Sequence, residues 1–515
     1  MYHSKIKSSG TLSVFLILLI SLVFRFWFSA THVSFGQDIA RDDWLISQRI
    51  EAKQWLVAYG PKASVGNFYL PPFYYQLHVV ASLVSGENPL VMKWLVTFIE
   101  SLSPVLILLI LRKVVSERVA VLVAISYIAA TLPLQYGTTA WNPNMIPFFS
   151  LVLIYSSIRV LQDKRAAYIL SACVAVAIAF QLHYQSAVLL PMLPFLMVLS
   201  VRHLGWKKSL PYWLAGVLLA GLLFLPYFVA EISNHWQNTH AIIHYFSQEH
   251  ALYYERVSKP TYLLTFFPRF FDRVFFGKET FHAFFGIILY VIGSLYILLQ
   301  IKKSKSMGWL SILFYFISVV LMLRVFKGDK LDYYLSTLFP MPFLLLASVL
   351  SMLKQRWLQY GVIACIVFLL GQHVGRWLPY NDFAGLQQTM QFVSEKTSDT
   401  SIRLLFHDDD YVNTVFYGLK TFTNITINDS SPIAVDICNT KDQCSWNGLP
   451  QSRYSLAYSS AAELKYDAGY TQFSMLSGKV PFTTVVGRLD NPDLKFDTKG
   501  FTYQGEQGSD FLLNF

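Results

Sequence analysis

The sequence predicts an α-helical polytopic membrane protein that ends in a small domain containing strands. Three observations carry this. Of the 515 residues, 54% are hydrophobic and 14% are charged, whereas ordinary globular domains run near about 25% charged. The mean hydropathy is +0.42. The apolar residues gather into runs of roughly the 20 residues that cross a bilayer. From Pro379 onward the composition turns polar. A chain so poor in charge cannot clothe several water-soluble cores. It is also neither a disordered chain nor a disulfide-dense secreted module, since it has only four cysteines.

The first run, Thr11 to Ala30, follows Lys5 and Lys7. A signal peptide is the rival reading. The run is long for one, and Phe24, Phe26, Trp27 and Phe28 stand where a small-residue cleavage site belongs. It reads as a retained helix that starts in the cytoplasm. Further runs fall at about 90–111, 118–137, 142–161, 166–182, 185–201, 211–231, 282–301, 307–325, 335–353 and 358–377, which makes about eleven helices.

The loops give the orientation, because Lys and Arg collect on the cytoplasmic side. Arg112, Lys113 and Arg118 fall in one loop, then Arg159, Lys164 and Arg165, then Arg202, Lys207 and Lys208. Lys302, Lys303 and Lys305 follow, and finally Lys354 and Arg356. The intervening loops Gly137–Trp141 and Leu182–Gln185 contain neither Lys nor Arg. The expected topology is therefore a multi-pass protein of the cytoplasmic membrane, N-terminus inside and C-terminal domain outside. This bias accounts for the net charge of +10. No basic motif of a nucleic-acid reader is present, so no nucleic-acid partner is expected.

This gives a transmembrane domain over residues 1–378, with long outside loops at 31–89 and 231–281, and an extracytoplasmic domain over 379–515. The tail contains Asp408, Asp409 and Asp410, many Ser and Thr, and alternating runs such as Phe422–Ile427. It is expected to be an α/β or α+β domain. Cys438 and Cys444 lie in it, and their spacing allows a small-loop disulfide. Cys173 and Cys365 read as core thiols.

The chemistry points to the first outside loop. Trp44, Leu45, Ile50 and Trp55 recur at helical spacing, which suits an amphipathic helix over about 39–58 lying at the membrane surface. Asp38 stands at its start, where helix capping alone explains an acid. Arg41 is three residues on, however, so the two share one face of a turn. A carboxylate there can take a proton from an attacking hydroxyl or amine, and the cation can hold a phosphate leaving group. Asp42 and Asp43 compete for the role of base. Further along, Gly60-Pro61-Lys62-Ala63-Ser64 precedes Tyr69-Leu70-Pro71-Pro72-Phe73-Tyr74-Tyr75. The paired prolines impose an extended entry, and the aromatics resume an interfacial helix.

The loop Asp38–Arg41 together with the Pro71-Pro72-aromatic stretch resembles the GT-C superfamily of polytopic glycosyltransferases, and within it the protein O-mannosyltransferase and aminoarabinose-transferase branch. Further resemblance comes from Trp141-Asn142-Pro143-Asn144, from His183-Tyr184, and from Tyr333-Tyr334-Leu335 followed by Phe339-Pro340. The likeness in layout spans roughly residues 10–378 and leaves the tail aside. It implies a polyprenyl-phosphate sugar donor and an inverting transfer outside the cytoplasmic membrane. Residue by residue, Asp38 matches the catalytic carboxylate and Arg41 the basic residue that meets phosphate. This chain has Ile39 where the family often has a second acid. It has Leu70 where many bacterial members have a basic residue, and Lys62 is the candidate to supply that charge.

Arg324, Lys327 and Lys330 fall in an outside loop against the charge pattern. Snorkelling at a helix end accounts for each singly. Together they suit a phosphate site that Asp329 and Asp332 partly neutralise. Asn142, His183, Tyr184 and Tyr333 are candidates to line a cavity and meet acceptor hydroxyls, although a polar residue at an outer helix end is more often merely solvated. His235, His240, His244 and His250 invite a metal reading. Without a recognised carboxylate pattern, an interfacial amphipathic helix is the better account. There is no Gly-rich phosphate loop, nucleophile elbow or zinc-protease motif.

The expected function is an integral-membrane inverting glycosyltransferase. It moves a sugar from a polyprenyl-phosphate donor to an extracytoplasmic protein, lipid or cell-envelope glycan, and needs no cofactor or obligatory metal. The alternative is a transporter or flippase of a lipid-linked substrate, which predicts ionisable residues deep inside several helices. A membrane-anchored sensor would have little use for so many helices.

Overall fold

A computed structural model of the chain describes residues 2–63, 67–247, 258–278, 283–325, 331–374, 379–397, 401–406, 412–427, 433–439, 464–476 and 480–489. It is mostly helical. Lys327, Lys330, His250 and Cys444 lie outside the described residues. Among those described, six helices are long and apolar enough to cross a membrane: Thr11–Thr31, Val91–Leu111, Asn142–Leu161, Tyr184–Leu204, Phe284–Ser304 and Met307–Arg324. The number rises to eight if two bent pairs count as spans. These are Trp206–Leu223 with Leu225–Ser233, bent by 57°, and Asp332–Leu338 with Met341–Met352, bent by 47°.

Proline explains where helices break. A proline ring clashes with the carbonyl four residues earlier in a continuous helix. Pro133 would meet Ala129, and the helix Glu117–Ala129 stops there. Ala130 turns extended (φ −66°, ψ 138°) before Thr131–Tyr136 begins. Pro226 acts likewise on the bend at Phe224. The stretches expected at 166–182 and 358–377 form the shorter apolar helices Tyr168–Leu182 and Arg356–Gln372.

The chain divides into two compact units. The first comprises Met1–Ser29 and Trp55–Trp377. Its core is aromatic and aliphatic, with Phe275 and Phe343 ring centroids 4.4 Å apart and Phe195 stacked on Phe314 at 3.8 Å. Along Trp206–Leu223, Leu214, Val217, Leu218 and Leu222 are exposed, as a lipid-facing side requires. Among the described residues, three charged side chains are nonetheless buried inside the six unbroken spans. Arg25 donates to Pro133 O at 2.9 Å, the helix that follows the break at Ala130. Glu100 accepts from Ser103 Oγ at 2.9 Å and from Phe148 N at 3.1 Å. Lys93 Nζ donates to Ser29 O at 2.5 Å and also to Ser29 Oγ.

Among the described glycines, Gly286 marks the closest backbone approach. A Cβ there would lie 1.9 Å from Pro268 O, and its N–H donates to the buried Asp272 carboxylate at 2.8 Å. The Gly286→Ala change is expected to force Phe284–Ile287 away from Phe267–Phe276 and to destabilise the protein by about 1–3 kcal/mol. Thermal unfolding in detergent checks this, and an unshifted midpoint contradicts the packing described.

The second unit comprises Ala30–Gln54 and Leu378–Phe515. It contains the helix Gln37–Glu51, a short parallel pairing of His32–Val33 with Tyr380–Asn381, and a five-stranded mixed sheet. The strand order is Thr426–Ile427, Ser401–Phe406, Ile433–Asn439, Val480–Leu489, Leu464–Leu476. The first two pairings are parallel and the last two antiparallel, with Arg403 opposite Ala434 and Val435 opposite Val486. Cys438 lies on the third of these strands, opposite Thr483.

Candidate active site

In the second unit, Gly36 takes an extended conformation at the N-cap, and its carbonyl accepts from Ala40 N at 3.0 Å. That starts the helix Gln37–Glu51 and puts Asp38 in its first turn, where the unpaired N–H groups favour an anion. No side-chain capping bond forms at this N-cap. One turn on, Arg41 Nη1 lies 2.9 Å from Asp38 Oδ1. The same guanidinium forks onto Asp42 Oδ1 through Nε at 2.9 Å and Nη2 at 2.7 Å. Arg41 and Asp42 are buried, whereas the Asp38 side chain is 39% exposed. Asp43 is buried and accepts from Tyr417 Oη at 2.8 Å. Phe35 anchors the approach, with its N–H directed at Asp382 and its ring 4.9 Å from Phe383 and 5.0 Å from Tyr417.

Three neighbouring carboxylates thus have three environments. Asp42 is enclosed as the brace of a buried cation, and Asp43 ties the helix to Val412–Phe422. Asp38 is the one that solvent reaches. The arrangement can hold an accessible base beside a cation whose own position is fixed.

The first unit builds two further clusters at the ends of its helices. In one, the backbone around Lys62 folds back on itself through Gly60 N to Leu70 O at 2.8 Å and Leu70 N to Pro61 O at 2.9 Å, and Lys62 is exposed. A Cβ on Gly60 would strike the Tyr75 ring at 2.2 Å, so glycine is needed for this approach. Asn238 Oδ1 accepts from Tyr69 N at 2.6 Å, and Tyr184 Oη donates to Tyr69 O at 3.0 Å. The buried Glu231 accepts from Tyr59 Oη at 2.5 Å and Thr239 N at 2.8 Å. Burial, and then the bond to Glu231, raises the Tyr59 hydroxyl above the usual tyrosine pKa. Tyr184, expected in a cavity, is buried and uses its hydroxyl in this clasp. Sequence reasoning missed Tyr59, Glu231 and Asn238, which lie far apart along the chain.

In the other cluster, the buried Asn142 donates to Leu182 O at 2.8 Å. His183 is part-buried, and desolvation pushes its pKa down to about 4. A neutral ring fits its Nδ1 accepting from Gln185 N at 3.3 Å. Trp141 and Tyr333 rings meet at 4.5 Å, with His183 6.3 Å from Tyr333. Arg324 is part-buried with its guanidinium 5.0 Å from the Tyr262 ring centroid. His235, His240 and His244 are exposed. Among the described residues, no three His, Cys, Asp or Glu side chains gather as metal ligands.

The family described as dolichyl-phosphate-mannose-protein mannosyltransferase matches residues 70–229. That stretch takes in the proline pair, Trp141–Asn144 and His183–Tyr184, and begins after the acidic–basic cluster. No curated protein matches in sequence. Among solved structures, ArnT from Cupriavidus metallidurans bound to undecaprenyl phosphate is similar at a TM-score of 0.58 and 13% identity, covering 92% of this chain and 97% of that one. The apo oligosaccharyltransferase of Archaeoglobus fulgidus is similar at a TM-score of 0.50 and 12% identity, covering 79% of this chain and 63% of that one. The same archaeal enzyme tethered to an acceptor peptide with the NVT sequon gives a TM-score of 0.50 and 12% identity, covering 82% and 64%. These are GT-C glycosyltransferases, and the fold read from the first outside loop is borne out: the chain has the GT-C fold.

Proposed function

We propose that this GT-C-fold protein is an inverting glycosyltransferase that moves a sugar from a polyprenyl-phosphate donor to an acceptor outside the cytoplasm. The observation that carries the reading is the accessible Asp38 carboxylate 2.9 Å from an Arg41 clamped by the buried Asp42. Asp38 takes the proton of the acceptor hydroxyl or amine. The acceptor atom attacks the anomeric carbon, the carbon–oxygen bond to phosphate breaks, and the electron pair leaves with polyprenyl phosphate. Asp38 then returns its proton to water. A single displacement inverts the anomeric centre. Arg41 meets the phosphate oxygens as negative charge grows on the leaving group. It reaches that point without ordering itself, because Asp42 already holds it. ArnT was solved with undecaprenyl phosphate, which supports a lipid-phosphate donor for the same fold.

The transporter alternative draws some support from the buried Arg25, Lys93 and Glu100. Arg25 and Lys93 are tied to backbone carbonyls, and Glu100 to a serine and a backbone amide. That suits fixed struts better than a moving pathway. Incubating the purified protein with a polyprenyl-phosphate sugar and extracted envelope acceptors is expected to release free polyprenyl phosphate in step with glycosylated product. Movement of intact donor across vesicles without release would support the transporter and overturn the proposal.

A further inference from the structure

We propose that the first unit carries a binding site for an uncharged sugar ring where three short 3-10 helices converge: Asn142–Met145, Tyr184–Leu189 and Asp332–Leu338. This deepens the glycosyl-transfer reading and rests on it.

The rim of the site is aromatic. Trp141 lies 4.5 Å from Tyr333 at a 58° tilt, Tyr333 lies 4.1 Å from Tyr334, and His183 lies 5.8 Å from Tyr334. All four side chains are part-exposed. A sugar ring has a C–H face that packs on such rings, and the shape of a mixed platform suits it better than an extended acyl chain.

The three short helices and the adjoining end of Tyr168–Leu182 carry unpaired polar atoms. Asn144 Oδ1, Gln181 Nε2, Gln185 Oε1, Ser186 Oγ and Thr337 Oγ1 are buried and find no hydrogen-bond partner among the described residues. Asn144, Gln181, Ser186 and Thr337 are each less than 3% exposed. An unpaired buried polar atom destabilises the fold, and several together on packed neighbouring elements call for a ligand or bound water. The amide orientations are set by the neighbours. Gln185 Nε2 donates to Tyr333 O at 2.6 Å and Ser336 Oγ at 2.9 Å, which leaves Oε1 as an acceptor. Asn144 Nδ2 donates to Thr139 O at 2.8 Å, which does the same for its Oδ1.

The chemistry of these atoms selects the ligand class. They include acceptors, a donor and hydroxyls. A phosphate or carboxylate only accepts, and an ammonium only donates. Sugar hydroxyls do both. Among the described residues, the adjoining Arg273 and Asp332 pair with each other at 2.6 Å, so this pair brings no net charge to the site.

The ring can belong to the donor or to an acceptor glycan. The test titrates the detergent-solubilised full chain with three probe sets: polyprenyl phosphate carrying mannose, glucose, galactose or arabinose, sugar-free polyprenyl phosphate, and soluble disaccharides of the same sugars. Wild type is expected to bind at least one sugar-bearing probe about tenfold or more tightly than its sugar-free counterpart. Trp141→Ala and Gln185→Ala are expected to lose that preference while keeping their affinity for sugar-free polyprenyl phosphate, which also reports that they are folded. Trp141→Phe is expected to keep most of it. Loss confined to the lipid-linked sugars assigns the ring to the donor, and loss confined to the disaccharides assigns it to the acceptor. If no sugar-bearing probe is preferred, or the preference survives both alanine variants, the orphan atoms serve a hydrated packing defect and the proposal fails. Binding needs no turnover, so an inactive protein that still prefers sugar would remove the proposed reaction and leave this site standing.

Discussion

The Asp38→Asn variant is expected to transfer sugar about 100- to 10,000-fold more slowly than wild type and to unfold at an unchanged temperature. Asparagine keeps the size and the polar contact but cannot accept the proton. Its side chain is part-exposed, and Asp42 still holds the Arg41 guanidinium through Nε and Nη2, so little stability is at stake. Asp42→Asn is the contrasting case. It takes the charge away from the group that holds the buried Arg41 guanidinium at 2.9 and 2.7 Å. Breaking a buried pair by removing one partner destabilises by about 3–5 kcal/mol. A fall in rate without a fall in unfolding temperature at Asp38, and both together at Asp42, separates the base from the brace. Full activity in Asp38→Asn would remove it as the base.

The second large effect is expected in the membrane-spanning part. Arg25 and Glu100 are each other's electrostatic neighbours, and both are buried. Gly137 fits between them, since a Cβ there would lie 2.4 Å from Arg25 Nη1 and 3.0 Å from Glu100 Cβ. Glu100→Ala strips Arg25 of its counter-charge and leaves Phe148 N without its acceptor, so a loss of about 3–5 kcal/mol is expected. Arg25→Met alone leaves Glu100 uncompensated and is expected to be comparably harmful. The double change Arg25→Met with Glu100→Met removes both charges, and its loss is expected to fall well below the sum of the two. Additive losses in thermal unfolding would show that the two charges do not act as a pair.

These two effects mark the limits of what the sequence discloses. The apolar runs and the positive loops reveal the helical membrane character, because a span must be apolar over its whole length. The same averaging hides Arg25 and Glu100, since one charge barely moves the mean of a long apolar run. The spacing of Asp38 and Arg41 is local, so their contact is legible. The order of preference among Asp38, Asp42 and Asp43 is not, because Tyr417 and Asp382 reach this segment from more than 300 residues away. The surface helix is expected over about 39–58, but it ends at Glu51, where Ala52 caps it and Lys53 turns left-handed (φ 58°). Trp55 therefore falls beyond it. In the tail, Phe422–Ile427 reads as alternating strand. Phe422 instead closes the helix Val412–Phe422, whose Val412, Val415, Phe416 and Leu419 follow helical spacing, and only Thr426–Ile427 is strand.

The most direct test is the mass spectrum of envelope glycans, glycolipids and glycoproteins from cells expressing the wild-type chain, compared with cells expressing the Asp38→Asn chain at equal level. The account predicts a product heavier by one sugar residue in the first, with the new linkage opposite in anomeric configuration to the lipid-linked donor, and its loss in the second. The same sugar-bearing product in both, or a linkage that retains the donor's configuration, would contradict it.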